Sequence, residues 1–240
     1  MVDDIVDRIR RSYDVLASEY VRRIADELRH KPLDREMLDR FARRTIGQGP
    51  VCDLGCGPGH VTRYLRDRHV EMFALDVSPA MLEEARKLNP DIAFREGDML
   101  GLDVESGSLA GIVSFYAIVN LPKHSVPLAF REMARVLRAN APLLLAFHIG
   151  HETMAIDELW GQRIEMDFVL FDPSEICTEL AAVGLAIEEV VERETYPEVE
   201  YPSRGAYVFA HNKGYTNSAR LAWQIGGIAS ILCLQNWRFR

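Results

Sequence analysis

The segment Val51-Cys52-Asp53-Leu54-Gly55-Cys56-Gly57-Pro58-Gly59 joins a short apolar run to a helical pattern beginning at His60. An apolar run of that length reads as a buried strand. Three alternate glycines then let the backbone reverse sharply and come close to a ligand that a Cβ would keep away. The helix that follows presents its free amides to the same place. A strand, glycine turn and helix in that order belong to an α/β architecture with a parallel sheet.

The rest of the chain carries the pattern forward. Apolar runs at 51–54, 72–75, 92–96, 112–116 and 143–148 alternate with helical patterns at 60–68, 79–88, 126–137 and 173–183. Alternation of this kind predicts a doubly wound, mostly parallel sheet covered on both faces. Two further β-rich runs, 187–195 and 206–211, are joined by a Pro-containing loop with no helix between them, so an antiparallel C-terminal hairpin closes a seven-stranded sheet. Upstream, Ile5, Ile9, Tyr13, Leu16, Tyr20 and Ile24 recur three or four apart, and a second helix is expected from Leu33 to Arg44. The expected organisation is a helical segment at 1–49, an α/β domain at 50–212 and an apolar tail at 213–240. The insertion at about 149–171, between strand five and its helix, is too long for an ordinary connection and is expected to form a cap.

Charge and composition narrow the partners. A formal net charge of -8, without a basic stripe, makes nucleic acid an unfavourable partner. The acidic N-terminus lacks the features of a secretory signal. Cys52, Cys56, Cys177 and Cys233 form no Cys-x-x-Cys pair, which favours reduced thiols and a cytoplasmic setting. Leu221–Leu234 is an apolar run of 14 residues, short of the roughly 20 that a membrane span needs, and reads as a packed or interfacial helix. A homodimer is left open.

Carboxylates converge on the glycine turn. Asp76 ends the second strand, 21 positions after Gly55, where nucleotide-binding folds grip a ribose diol. Asp98 follows the third strand, and Asp53 immediately precedes the turn. A nicotinamide-dependent oxidoreductase shares the glycines and the ribose carboxylate, but its fingerprint is Gly-x-Gly-x-x-Gly, with the third glycine one residue later. Three carboxylates also suit a cationic ligand better than a pyrophosphate.

On these motifs the chain resembles the class I S-adenosylmethionine-dependent methyltransferases of the small-molecule type, over roughly residues 10–212. The resemblance implies a Rossmann-like fold with an N-terminal helical lid, S-adenosylmethionine as cofactor and S-adenosylhomocysteine as product. It places Asp53, Gly55, Cys56, Gly57 and Gly59 against the methionine part and Asp76 on the ribose hydroxyls. Val77 and Met81 follow in the flanking helix start, and Asp98 and Met99 lie at the adenine. Tyr13 and Tyr20, in Tyr13-Asp14-x-x-Ala17-x-x-Tyr20, correspond to the lid. Phe115 offers backbone contact to the methionine end, and Tyr116 stands where the family meets the methyl group and its acceptor. Two positions depart from the family: Gly111 stands where an Asp is usual, and Ala139-Asn140-Ala141-Pro142 replaces a Pro-Gly-Gly turn.

Methyl transfer is an in-line displacement that needs alignment, and a base where the acceptor must lose a proton. His148, ending strand five, is the candidate base, with Tyr116 as an orienting group. His148, His151 and Glu152 lack the four-residue spacing of a helical metal motif, and no metal is expected. The cap mixes Met154, Trp160, Met166, Phe168 and Phe171 with acidic residues, which suits a small, partly apolar acceptor and leaves O-, N- and C-methylation open. A non-catalytic protein that binds S-adenosylmethionine is the remaining alternative.

Overall fold

The computed structural model describes residues 2–197 and 199–214. The apolar run Leu221–Leu234, and nearly all of the tail expected at 213–240, lie outside the described residues. Seven strands form one sheet: β1 (Val51–Leu54), β2 (Met72–Asp76), β3 (Ala93–Glu96), β4 (Gly111–Phe115), β5 (Pro142–His148), β8 (Leu185–Arg193) and β9 (Gly205–Asn212). Their order is β3-β2-β1-β4-β5-β9-β8, with β9 antiparallel to both of its neighbours. This is the expected doubly wound Rossmann-like sheet with its C-terminal hairpin. The order reverses between β1 and β4, which opens a crevice at the carboxyl ends of the strands.

Burial explains the strand sequences. Every residue of β5 is buried, because helices cover both of its sides. Leu143, Leu145 and Phe147 pack with α5 (Val126–Val136) and α6 (Pro173–Ala182). Leu144 and Ala146 pack with α2 (Pro32–Thr45) and α3 (His60–Arg66) on the opposite face. Such a strand reads as a continuous apolar run. The edge strand β3 buries only Phe94.

Helix starts are chemically marked. Ser78 caps α4 (Pro79–Leu88) by accepting from the Met81 amide at 3.1 Å, and Asp172 caps α6, with Pro79 and Pro173 at the first helical positions. Asn140 holds a φ of 63° in the turn before β5. Asn tolerates that left-handed conformation, so the missing glycines cost the turn little.

Two connections complete the fold. No helix covers the β3-to-β4 connection; Arg135 of α5 instead donates to the carbonyls of Leu102 at 2.7 Å and Val104 at 2.8 Å. The insertion is a separate two-stranded hairpin, β6 (Thr153–Leu159) and β7 (Gln162–Val169). Its turn residues Trp160 and Gly161 have φ of 53° and 78°, as a two-residue primed turn requires.

The hairpin packs on α1 (Val2–Ile24) through Leu16, Ile164 and Met166. Ser12 Oγ donates to the Glu165 carbonyl and accepts from the Glu165 amide, both at 3.0 Å. On its other side, α1 is tied to α4 by Asp14, which accepts from Ser78 Oγ at 2.7 Å and from the Ala80 amide at 3.2 Å. Among the described residues no helix is long and apolar enough to cross a membrane.

Candidate functional site

The glycine turn is fixed by the end of β2. The amides of Gly55 and Cys56 both donate to the Leu75 carbonyl, at 2.8 and 3.1 Å. One oxygen of Asp76 accepts from the Gly57 amide at 2.8 Å, and the other accepts from the Ser78 amide at 2.9 Å. Burial raises the Asp76 carboxyl above its ordinary range, against the pull of those amides. A Cβ on Gly55 would lie 2.3 Å from that of Ala117, and φ there is +77°, so only glycine fits.

This turn floors a crevice of about 720 Å³. Of the residues expected to meet a cofactor, Gly55, Gly57, Asp76, Val77, Asp98, Met99 and Phe115 line it. Tyr13 and Tyr20 close it from α1, their rings 5.8 Å apart and edge to face. Gly59 and Met81 stand one step back. Gly59 starts α3 against Phe94, and Met81 is buried inside α4. Asp53 is also held from beneath, accepting from Thr62 Oγ1 at 2.6 Å, and burial raises its carboxyl to about 6.

Asn120 went unrecognised in the sequence. It follows β4, accepts from the Tyr13 hydroxyl at 2.6 Å and donates to the Asp167 carbonyl at 2.8 Å. One amide thus joins α1, the sheet edge and the inserted hairpin.

The crevice opens, past Tyr13, Tyr20, Phe115 and Tyr116, into a second chamber of about 1380 Å³. Cys56 and Asp53 reach its wall, and His148 and Tyr116 face it with ring centroids 4.7 Å apart. Phe168 of the hairpin stands 5.2 Å from His148 and 5.3 Å from Tyr201. Nδ1 of His148 shares a hydrogen bond of 2.7 Å with Ser203 Oγ. Burial pulls the imidazole down to about 4, so the ring is neutral at pH 7. Its neighbour in the sequence pattern, His151, is exposed.

Beneath the chamber lies a network of charges with no local sequence signal. Lys31, almost fully buried, sits 2.7 Å from Glu27 and 3.0 Å from Glu200. Arg193 grips both oxygens of Glu200 and donates to the Tyr116 hydroxyl at 2.6 Å. Glu27 also meets His60 at 3.1 Å. Although burial opposes it, the bonds from His60 and Lys31 hold Glu27 down at about 2. Tyr116 itself has a φ of 53°. For a tyrosine that is a strained conformation, and these contacts over-determine it.

Fold and crevice together set a binding cleft at the carboxyl ends of the strands, with a second chamber beside it. Residues 51–140 match the methyltransferase domain family, and the chain is similar to S-adenosylmethionine-dependent methyltransferases in sequence and in fold. A malonyl-[acyl-carrier protein] O-methyltransferase of Enterobacter lignolyticus is 34% identical over 142 residues, 59% of this chain and 49% of that protein. The chain thus spans about half the length of that relative. An S-adenosylmethionine-dependent methyltransferase structure from Methanosarcina mazei superposes with a TM-score of 0.62 at 15% identity, covering 68% of this chain and 92% of that one. The [4+2]-cyclase SpnF superposes at 0.66 and 14%, covering 86% and 96%. At such identities the superpositions speak for the fold alone.

Proposed function

We propose that this chain transfers a methyl group from S-adenosylmethionine to a small, partly apolar acceptor held in the chamber. One observation carries the reading: the crevice floored by Asp76 and the glycine turn runs directly into an aromatic-lined chamber that His148 and Tyr116 face. The crevice fits S-adenosylmethionine. Gly55, which Ala117 Cβ would not let carry a side chain, holds the backbone close to it, and Asp76 and Asp98 in its lining give it carboxylates that suit a diol and a cation, and oppose a pyrophosphate.

Asp76 would hold the ribose, since its carboxylate lines the crevice and has acceptor capacity beyond the backbone amides it meets. Met99 and Asp98 would flank the adenine, and the turn from Gly55 to Gly57 the methionine end. The bound cofactor supplies an electrophilic methyl and a neutral leaving sulfur. The chain's own work is positioning: Tyr116, pinned by Arg193, orients the acceptor, and α1 with Tyr13 and Tyr20 excludes water. His148, neutral and anchored through Nδ1, is placed to take a proton at Nε2.

Calorimetric titration with S-adenosylmethionine, S-adenosylhomocysteine and NADH tests this. Both sulfur ligands should bind and NADH should not. Asp76→Ala leaves two buried amides without an acceptor, at about 1–3 kcal/mol each, and should weaken both ligands at least about tenfold, or 1.4 kcal/mol. Binding of NADH alone, or unchanged affinity in the variant, overturns the proposal.

A further inference from the structure

We infer that the chamber is built for an uncharged, planar acceptor whose reacting group is a ring hydroxyl, phenolic or enolic, presented to His148. This rests on the methyltransferase reading above and adds the class of acceptor to it.

The walls argue for a flat ring. Tyr116, His148, Phe168 and Tyr201 form a run of neighbouring rings with centroids 4.7, 5.2 and 5.3 Å apart. Trp160 adds its face beside Tyr20 at 5.9 Å. Aromatic faces of this kind select planar apolar ligands by stacked and edge contacts.

The charges argue against an ionic head. Three carboxylates line the chamber, and each is already engaged. Glu27 is held by Lys31 and His60, and Glu200 by Lys31 and Arg193. Asp53 accepts from Thr62 at the cofactor turn. Glu27 and Glu200 are thus already balanced by cations, and Asp53 sits at the cofactor turn, where the cationic end of S-adenosylmethionine would meet it. Lys31 in turn lies between two carboxylates and over the Tyr116 ring at 5.2 Å, so no lining cation is left for a carboxylate. Burying an unpaired charge there would be costly.

The polar group within the run of rings suits a hydroxyl. With Nδ1 occupied by Ser203, the ring nitrogen left to meet an acceptor is Nε2. In the step, Nε2 takes the hydroxyl proton and the oxygen pair forms the new bond to the methyl carbon. The carbon–sulfur pair leaves with sulfur, and the proton passes from His148 to water after release.

Three probes with one naphthalene ring separate the classes: 2-naphthol, 2-naphthoate and 2-naphthylmethylamine. Each is titrated into protein saturated with S-adenosylhomocysteine. The naphthol should bind at least about tenfold tighter than either ion, a difference of 1.4 kcal/mol. In His148→Gln, checked for native circular dichroism, naphthol affinity should stay within a few-fold. Its methylation rate should fall by about a hundredfold or more, the usual contribution of a general base. Tighter binding of the amine or the carboxylate, or of none of the three, overturns the inference, as does an unchanged rate in His148→Gln. If S-adenosylhomocysteine itself does not bind, the failure lies in the methyltransferase reading, and the acceptor assignment falls with it.

Discussion

At Asp76 one carboxylate does two jobs: it closes the glycine turn by accepting from Gly57 and Ser78, and it still faces the crevice. His148 shows how environment tunes such a residue. Burial is the main cause of its lowered pKa; Glu200 and Glu27 oppose it, while Lys31 and Arg193 reinforce it. The folded value is about 4, against an ordinary 6.5. Its contribution to stability is therefore complete above pH 6.5 and is lost as pH falls toward 4. Asp34 and Asp53, each raised to about 6 by burial, have the opposite sign. They favour the fold below their unfolded pKa and lose that contribution as pH rises through 6. Only a comparison with His148→Gln isolates the histidine. Between pH 7 and pH 5 the wild type should lose about 2 kcal/mol relative to that variant, measured by urea unfolding at both pH values. Parallel profiles for the two proteins would show that His148 is not neutral in the fold.

The elements that meet at the site differ in how plainly the sequence marks them. β1, β2, β4 and β5 were legible because burial on both faces writes a continuous apolar run, and α4 and α6 because Ser78-Pro79 and Asp172-Pro173 mark their starts. The hairpin β6–β7 was not, since its strands are largely exposed and its turn is Trp160-Gly161 in place of an Asn-Gly signal. Nor was the charge network legible. Lys31, Arg193 and Glu200 lie on three segments, and local spacing carries no information on pairs so far apart. The coupling between α1 and the hairpin makes its own prediction. Ser12→Ala removes both bonds to Glu165 and should cost about 1–3 kcal/mol. Hydrogen exchange should rise in α1, β6 and β7 while β4 and β5 stay protected. Uniform exchange across the sheet would mean that the cap does not move independently.

Across the whole molecule, the family's usual Asp is replaced by Gly111 for a packing reason. A Cβ there would lie 2.9 Å from Thr45 Cγ2 and 3.0 Å from Phe41 Cζ, so α2 can press against the start of β4 only over a glycine. Gly111→Asp should destabilise by at least about 2 kcal/mol through overpacking and a buried charge. That is a fall in Tm of several degrees, and a variant melting with the wild type would show that α2 yields freely.

The same closeness of layers makes ligand binding a property of the entire fold. The crevice draws its walls from β1, β2, β4 and α1, and α1 is fastened both to α4 and to the hairpin. A ligand bound there stabilises all of them together. At a concentration one hundred times its Kd, S-adenosylhomocysteine should add about 2.7 kcal/mol. For a chain of this size each kcal/mol corresponds to about 2–4 °C, so Tm should rise by about 5–11 °C in a single transition. Calorimetric scanning reads both parts of the claim. A shift confined to one of two separate transitions would show that α1 and the hairpin do not share the cooperative unit that holds the crevice.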